Sequence, residues 1–187
     1  MIDLQLFRLV LTIADALRVR GSWTGETHIQ KVGYFLQELL GVPLKSEFIL
    51  YKHGPFSFDL RGVLSTMRAY DYVDWRAKAF GYGPTLVEGP LVDVLKKFST
   101  LPAEYMQRID FITDKLATKR VSELERLATA LYVTLDRSIP AYGRAERIHG
   151  LKPHVSLAEA QQSIHELDMV WGEAVQLGFI ENVLRAS

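Results

Sequence analysis

This chain of 187 residues has five histidines and no cysteine, which limits the catalytic and metal-binding chemistry that its side chains could perform. A cysteine nucleophile and a disulfide framework are therefore excluded, and no serine has the flanking glycines of a hydrolase nucleophile turn. His53 stands before Gly54 and Pro55, where it could act as a base or a ligand, although turn chemistry alone accounts for these residue types. Since a histidine base needs a nucleophile, we predict no catalytic residue and no enzymatic activity.

Metal ions and cofactors are not expected either. His149 and His154 are five positions apart, a looser spacing than zinc ligands have. His28 and His165 have no second histidine at ligand spacing. The glycine-rich segment 81–84 lacks the lysine and the strand-to-helix setting of a phosphate-binding loop, and is better explained as the tip of a hairpin.

The composition is that of an ordinary globular protein, with 48% hydrophobic and 24% charged residues. The 22 basic and 22 acidic residues balance, so any affinity for nucleic acid has to come from a local patch. Asp3 stands where a secretory signal would be basic. The longest uncharged runs, 79–87 and 127–135, are about half as long as the roughly 20 residues of a membrane helix. We expect a cytoplasmic protein that does not enter a membrane.

Hydrophobic periodicity predicts the elements of the first half. Apolar residues spaced by three and four predict helices at 2–20 and, after a short turn, up to residue 40. Alternation predicts a short strand at 47–51, then a turn at 53–55 and a third helix, capped by Ser57, to about residue 70. Two β-prone runs, 72–76 and 85–88, predict a hairpin. Three helices followed by a hairpin are the outline of a winged helix.

The second half is predicted to be helical. Helices are expected at 91–98, 102–116, 122–135 and 156–177, and the last two begin with capping-box patterns at Ser122 and Ser156. The stretch 138–153 contains prolines and glycines and is predicted to be a mobile connection. The predicted fold is mainly α (α+β), with a winged-helix-like region and short β-hairpin at 1–90. A C-terminal helical extension at 91–187 is expected to pack on it in one compact domain.

Two short motifs are the most distinctive feature of the sequence: Gln30-Lys31 with Tyr34-Phe35, and, some twenty residues later, His53-Gly54-Pro55. In these motifs, and most clearly over 22–90, the chain resembles the YwgA-like proteins of bacteria and archaea, relatives of the SocA-like, or Panacea, antitoxin domains. Tyr51 and Lys52 stand where SocA-like domains usually carry a tryptophan. The helices predicted beyond residue 91 also make the chain longer than a minimal Panacea domain, so the YwgA-like group is the closer match. The resemblance implies a helical, winged-helix-like domain without established catalysis, often encoded beside toxins, in prophages or in defence loci.

The motif residues have both structural and functional interpretations. We expect structural roles for Gln30 and Tyr34, which lie within a helix, and a turn-anchoring role for His53. Lys31 is either a solvated residue or, beside a buried Phe35, part of a docking surface shared by the family.

One functional hypothesis is DNA binding by a winged-helix transcriptional regulator. On the third helix Arg61, Ser65 and Arg68 share one face, and Arg76 and Lys78 on the hairpin could contact the phosphate backbone. Nearby aspartates at positions 59, 71 and 74 would cancel part of this positive charge. DNA binding is therefore the alternative rather than the first choice.

The preferred hypothesis is a non-enzymatic, antitoxin-like regulatory module that binds a protein partner. Phe80 and Tyr82 at the hairpin tip, and Trp171 in the last helix, are candidate contacts for a partner or for a second copy of the chain in a homodimer. Residues 150–187 contain five acidic and two basic side chains. The partner is expected to be toxin-like or a component of a phage-defence system, as the resemblance implies.

Overall fold

The structure is a computed structural model that describes residues 3–77 and 83–181. It is mainly helical with two small hairpins, which confirms the predicted fold class. The elements in chain order are α1 (Leu4–Val19), α2 (Glu26–Glu38), β1 (Ile49–Tyr51), β2 (Gly54–Phe56), α3 (Phe58–Ala69), β3 (Val73–Arg76), β4 (Thr85–Glu88), α4 (Val92–Phe98), α5 (Ala103–Leu116), α6 (Val121–Leu135), a 3₁₀ turn (Ala141–Gly143), α7 (Arg144–Leu151) and α8 (Leu157–Gln176).

Side-chain caps set the starts of several helices, and two of them were predicted. The Ser57 hydroxyl accepts a hydrogen bond from the Leu60 backbone N–H at 3.2 Å, and Ser156 forms a full capping box with Glu159 at the start of α8. The predicted box at Ser122 is wrong, because α6 begins one residue earlier, at Val121.

The first hairpin, β1–β2, was only half predicted. Gly54 and Pro55, expected in a turn, lie in β2, and the turn is formed by Lys52 and His53. Gly54 has φ +80°, and a Cβ there would come within 3.2 Å of the Glu125 carbonyl oxygen, so glycine allows α6 to pack directly on the hairpin. Pro55 is tolerated because this two-stranded sheet consists only of edge strands.

The second hairpin is confirmed by the antiparallel pairing of β3 with β4, from Val73 opposite Glu88 to Arg76 opposite Thr85. Its predicted tip, including Lys78, Phe80 and Tyr82, lies outside the described residues. The helices α1, α2 and α3 with this hairpin follow the order predicted for the winged-helix-like region.

The stretch 138–153, predicted to be a mobile connection, instead folds into the 3₁₀ turn and α7. Helix α7 packs on α6 and α8 through a buried Ile148. The Arg144 guanidinium donates to both Asp168 carboxylate oxygens at 3.0 Å, a bidentate pair that ties α7 to α8. His149, expected in a loop, is on this helix.

Helix α2 is the centre of the molecule, and all its residues from 28 to 36 are buried. It packs against α1, α5, α6 and β2, as expected of a helix without a solvent-facing side. Because α5 and α6 cover α2, residues from both halves of the chain share one hydrophobic core. The division at residue 90 stays a prediction. In the ranges that the structure describes, no helix is both long and apolar enough to span a bilayer.

Candidate functional site

The two distinctive sequence motifs meet in the structure. Gln30 on α2 is fully buried, and its side-chain amide pairs with the backbone of Ser57 in both directions. The Gln30 Nε2 donates to the Ser57 carbonyl at 2.9 Å, and the Ser57 N–H donates to Gln30 Oε1 at 2.9 Å. A buried amide thus satisfies the two backbone groups at the junction of β2 and α3.

Lys31, the next residue, is also buried, with 1% of its surface exposed. Its Nζ donates a hydrogen bond to the Pro55 carbonyl oxygen in β2 at 2.6 Å. Burial lowers the pKa of Lys31 to about 8; the negative charge of Glu125 opposes this shift and the positive charge of Lys152 adds to it. The alternative of a solvated lysine is therefore wrong.

Glu125 on α6 is a buried carboxylate that the sequence analysis did not single out. The Lys152 Nζ lies 3.3 Å from Glu125 Oε1 and donates to the Tyr51 and Lys52 carbonyl oxygens at 2.8 and 2.5 Å. We call Lys31, Glu125 and Lys152 the buried charge cluster. It joins α2, α6 and the segment after α7 to the β1–β2 hairpin.

Two histidines approach the cluster from the surface side. His53 Nδ1 lies 3.4 Å from Glu125 Oε2, and His154 Nε2 lies 3.4 Å from Glu125 Oε1. Both imidazoles are largely exposed. His53 is thus near a carboxylate, which turn chemistry alone did not predict.

The other two motif residues belong to the core. Phe35 is fully buried, and the Tyr34 ring packs edge-on against Phe48 with the ring centroids 5.2 Å apart. Burial, with the charge of Glu38 nearby, raises the pKa of Tyr34. These contacts place Tyr34 and Phe35 in packing positions away from solvent.

An exposed aromatic cluster lies on the β1–β2 hairpin and the start of α3. Tyr51, Phe56 and Phe58 contact one another with ring centroids 5.1 to 5.9 Å apart. Tyr51 is 48% and Phe58 53% exposed. Ile49, 42% exposed, is paired with Phe56 across the hairpin and so lies on the same face. We call Ile49, Tyr51, Phe56 and Phe58 the hairpin aromatic surface.

A small cleft of about 130 Å³ connects this surface to the buried charge cluster. Its lining comes from α2, the hairpin and α3 and comprises Glu26, Thr27, Gln30, Lys31, Tyr51, His53, Gly54, Phe56 and Arg61. At the rim, Arg61 forms a bidentate pair with Glu26, at 2.7 and 3.1 Å, and lies 4.6 Å above the Phe56 ring.

Four of the predicted DNA-contacting residues are exposed, but the charges on α3 are largely balanced, and the fifth, Lys78, lies outside the described residues. Arg61 pairs with Glu26, and Arg68 pairs with Asp74 at 3.0 Å. The Ser65 hydroxyl donates to the Arg61 carbonyl oxygen at 3.0 Å. Arg76 is exposed on β3. A phosphate would have to compete with two carboxylates for the arginines of α3.

The predicted contact on the last helix is only partly available. Trp171 is half-buried and packs against the core. Val170 beside it is buried and Met169 is 64% exposed. The other two predicted partner contacts, Phe80 and Tyr82, lie outside the described residues.

Two of the three remaining histidines, His28 and His149, form structural contacts. His28 Nε2 lies 3.1 Å from the Lys119 carbonyl oxygen, and burial lowers the pKa of His28 although this contact opposes the shift. His149 Nδ1 lies 2.7 Å from the Val155 carbonyl oxygen. Among the described residues, no three histidine, aspartate or glutamate side chains are grouped so as to hold a metal ion.

The buried partners of the motifs were missed for different reasons. Glu125 lies in α6 beside Glu123 and Arg126, so the sequence gives no signal that this one charge is buried in an ion pair. Lys152 follows a segment rich in glycine and proline and carries no such signal either. Neither the models of protein families nor the curated proteins compared with this chain match it.

Proposed function

We propose that this chain is a non-enzymatic, antitoxin-like regulatory module, of YwgA-like type, that binds a protein partner through the hairpin aromatic surface. The observation that carries the proposal is a set of three rings in mutual contact, two of them about half exposed. Aromatic residues and arginine are the types most enriched at the energetic centres of protein interfaces. Arg61 stacked on Phe56 completes this combination.

The hairpin is held in place before any partner arrives. Gln30, Lys31 and Lys152 together bind backbone groups of Ser57, Pro55, Tyr51 and Lys52. A surface that is rigid in the free protein loses little conformational entropy on binding. The buried motif therefore supports recognition indirectly, by fixing the strands that carry the rings.

Binding is favoured over catalysis by the surroundings of His53. Glu125 could orient the imidazole, but the described residues place no hydroxyl nucleophile in hydrogen-bonding contact with it. A histidine–carboxylate pair alone does not form the constellation of a hydrolase. DNA binding through α3 has less support, because its arginines are paired with carboxylates.

The resemblance to YwgA-like and SocA-like proteins indicates the class of partner. It favours a toxin-like protein or a component of a phage-defence system, encountered in the cytoplasm. Homodimerisation through the same rings is the competing possibility, and oligomeric state distinguishes it from binding to another protein.

Phe58→Ala is expected to reduce recovery of the partner about tenfold or more, because truncating a hot-spot aromatic costs roughly 2 kcal/mol of binding. The tagged variant and wild type would be purified from the native host and their bound proteins quantified by mass spectrometry. Phe98→Ala is the matched control, since Phe98 is 68% exposed on α4, and it should retain the partner. Equal recovery with both variants would contradict the proposal.

A further inference from the structure

The buried charge cluster carries an excess of positive charge. It contains two lysines and one carboxylate, and all three side chains are at most 8% exposed. At the rim of the cleft, Arg61 and Glu26 neutralise each other. Each further group facing the cluster, His53 from the hairpin and His154 before α8, can add positive charge but not negative charge. One cationic group beside the cleft is thus left without a matching anion.

Lys31 is the lysine that lines the cleft. An ammonium group has three N–H donors, and among the described residues one acceptor, the Pro55 carbonyl oxygen, lies within hydrogen-bond distance of Nζ. Buried polar groups with unused donors are costly unless a partner is supplied. A carboxylate entering the cleft would provide both the hydrogen-bond acceptor and the missing negative charge.

The size of the cleft limits what can enter it. Its volume of about 130 Å³ is well below the roughly 300–1,000 Å³ of pockets for whole small molecules. It suits one short side chain. The apolar rings of Tyr51 and Phe56 line the cleft and continue into the hairpin aromatic surface.

We propose that the cleft receives an aspartate or glutamate side chain of the bound protein, paired with Lys31, while an adjacent apolar side chain of the same segment packs on Tyr51 and Phe58. This inference rests on the proposed function and names the chemistry of the partner: an acidic residue next to an aromatic or aliphatic one. The excess positive charge of the cluster favours an acidic residue in the partner, and the exposed rings favour an apolar residue next to it.

Such a contact has a characteristic pH dependence. Burial lowers the pKa of Lys31 to about 8, and binding an anion raises the pKa in the complex. Affinity should therefore fall as the pH rises above about 8, because free Lys31 then loses its proton. An ordinary exposed lysine would remain charged until about pH 10.

The test uses a phage-displayed library of random twelve-residue peptides selected on the immobilised full chain at pH 7. Peptides whose binding is lost with Phe58→Ala are retained and synthesised. We expect them to share an acidic residue beside an apolar one. Their affinity should fall about tenfold or more with Lys31→Met, and the decline above pH 8 should disappear in that variant. Lys45→Met is the matched control, because Lys45 is exposed and paired with Asp3.

A second measurement does not depend on the folding of the variant. Changing the acidic residue of the peptide to its amide should weaken binding to the wild-type chain by the same factor. Phe58-dependent peptides that lack acidic residues, or whose affinity is constant to pH 9.5, would overturn the inference while leaving the proposed function intact. A selection that yields no Phe58-dependent peptide would instead overturn the proposed function, and this inference with it.

Discussion

Glu125→Gln is expected to lower the free energy of unfolding by about 3–5 kcal/mol, the usual cost of removing one partner from a buried ion pair. The substitution keeps the shape of the side chain but leaves two buried lysines, Lys31 and Lys152, without a negative charge. Urea denaturation measures the effect directly.

The control for this experiment is Glu104→Gln, because Glu104 is exposed and its nearest cation is 3.9 Å away. It should change stability by no more than about 0.5 kcal/mol. The double variant Glu125→Gln with Lys152→Met should recover part of the loss, since it removes one of the two unbalanced charges. A Glu125→Gln protein as stable as the Glu104→Gln control would show that the cluster does not hold the hairpin.

Gln30→Leu is expected to cost about 1–3 kcal/mol, because it leaves the buried Ser57 N–H without a partner. The Ser57 carbonyl oxygen keeps a hydrogen bond from the Arg61 N–H at 3.2 Å. The hydrogen bonds lost are the two of 2.9 Å between Gln30 and Ser57. Leucine has most of the volume of glutamine, so the loss of stability would come from an unsatisfied polar group rather than from a cavity. Hydrogen exchange at the amides of β2 and the first turn of α3 should accelerate with the loss of stability.

Gln107→Leu serves as the matched control, since Gln107 is exposed on α5. Its stability should remain within about 0.5 kcal/mol of wild type. If Gln30→Leu changed stability as little as Gln107→Leu, the contact with Ser57 would not stabilise the fold, and the structural role assigned to Gln30 would be wrong.

The sequence predicted most helices because their positions depend on local patterns. Apolar spacing located α1, α2 and α3, and Ser57 and Ser156 were recognised as caps from their own neighbourhoods. Helix α7 was missed because Gly150 and nearby prolines are typical of a loop, whereas contacts with α6 and α8 stabilise it as a helix. Tertiary packing overrides weak local preference in such segments.

The candidate site was only partly predictable, for a related reason. The motifs singled out Lys31 and His53, but the carboxylate that interacts with both, Glu125, is 72 positions from His53 in the chain. A single sequence contains no local pattern that links such distant residues. The β1–β2 hairpin was likewise hidden, because its turn, Lys52-His53, lacks the residues that favour tight hairpin turns. The exposure of Tyr51 and Phe58 follows from that hairpin and could not be inferred without it.

Site-specific photo-crosslinking in the native host tests the central claim, partner binding through the hairpin aromatic surface, most directly. A benzoylphenylalanine would be incorporated at position 58 in one strain and, as the control, at position 98 in another, both positions being exposed phenylalanines. We predict one major crosslinked protein from position 58 and none from position 98. The same products from both positions, or crosslinks from position 58 to DNA alone, would contradict the proposed function.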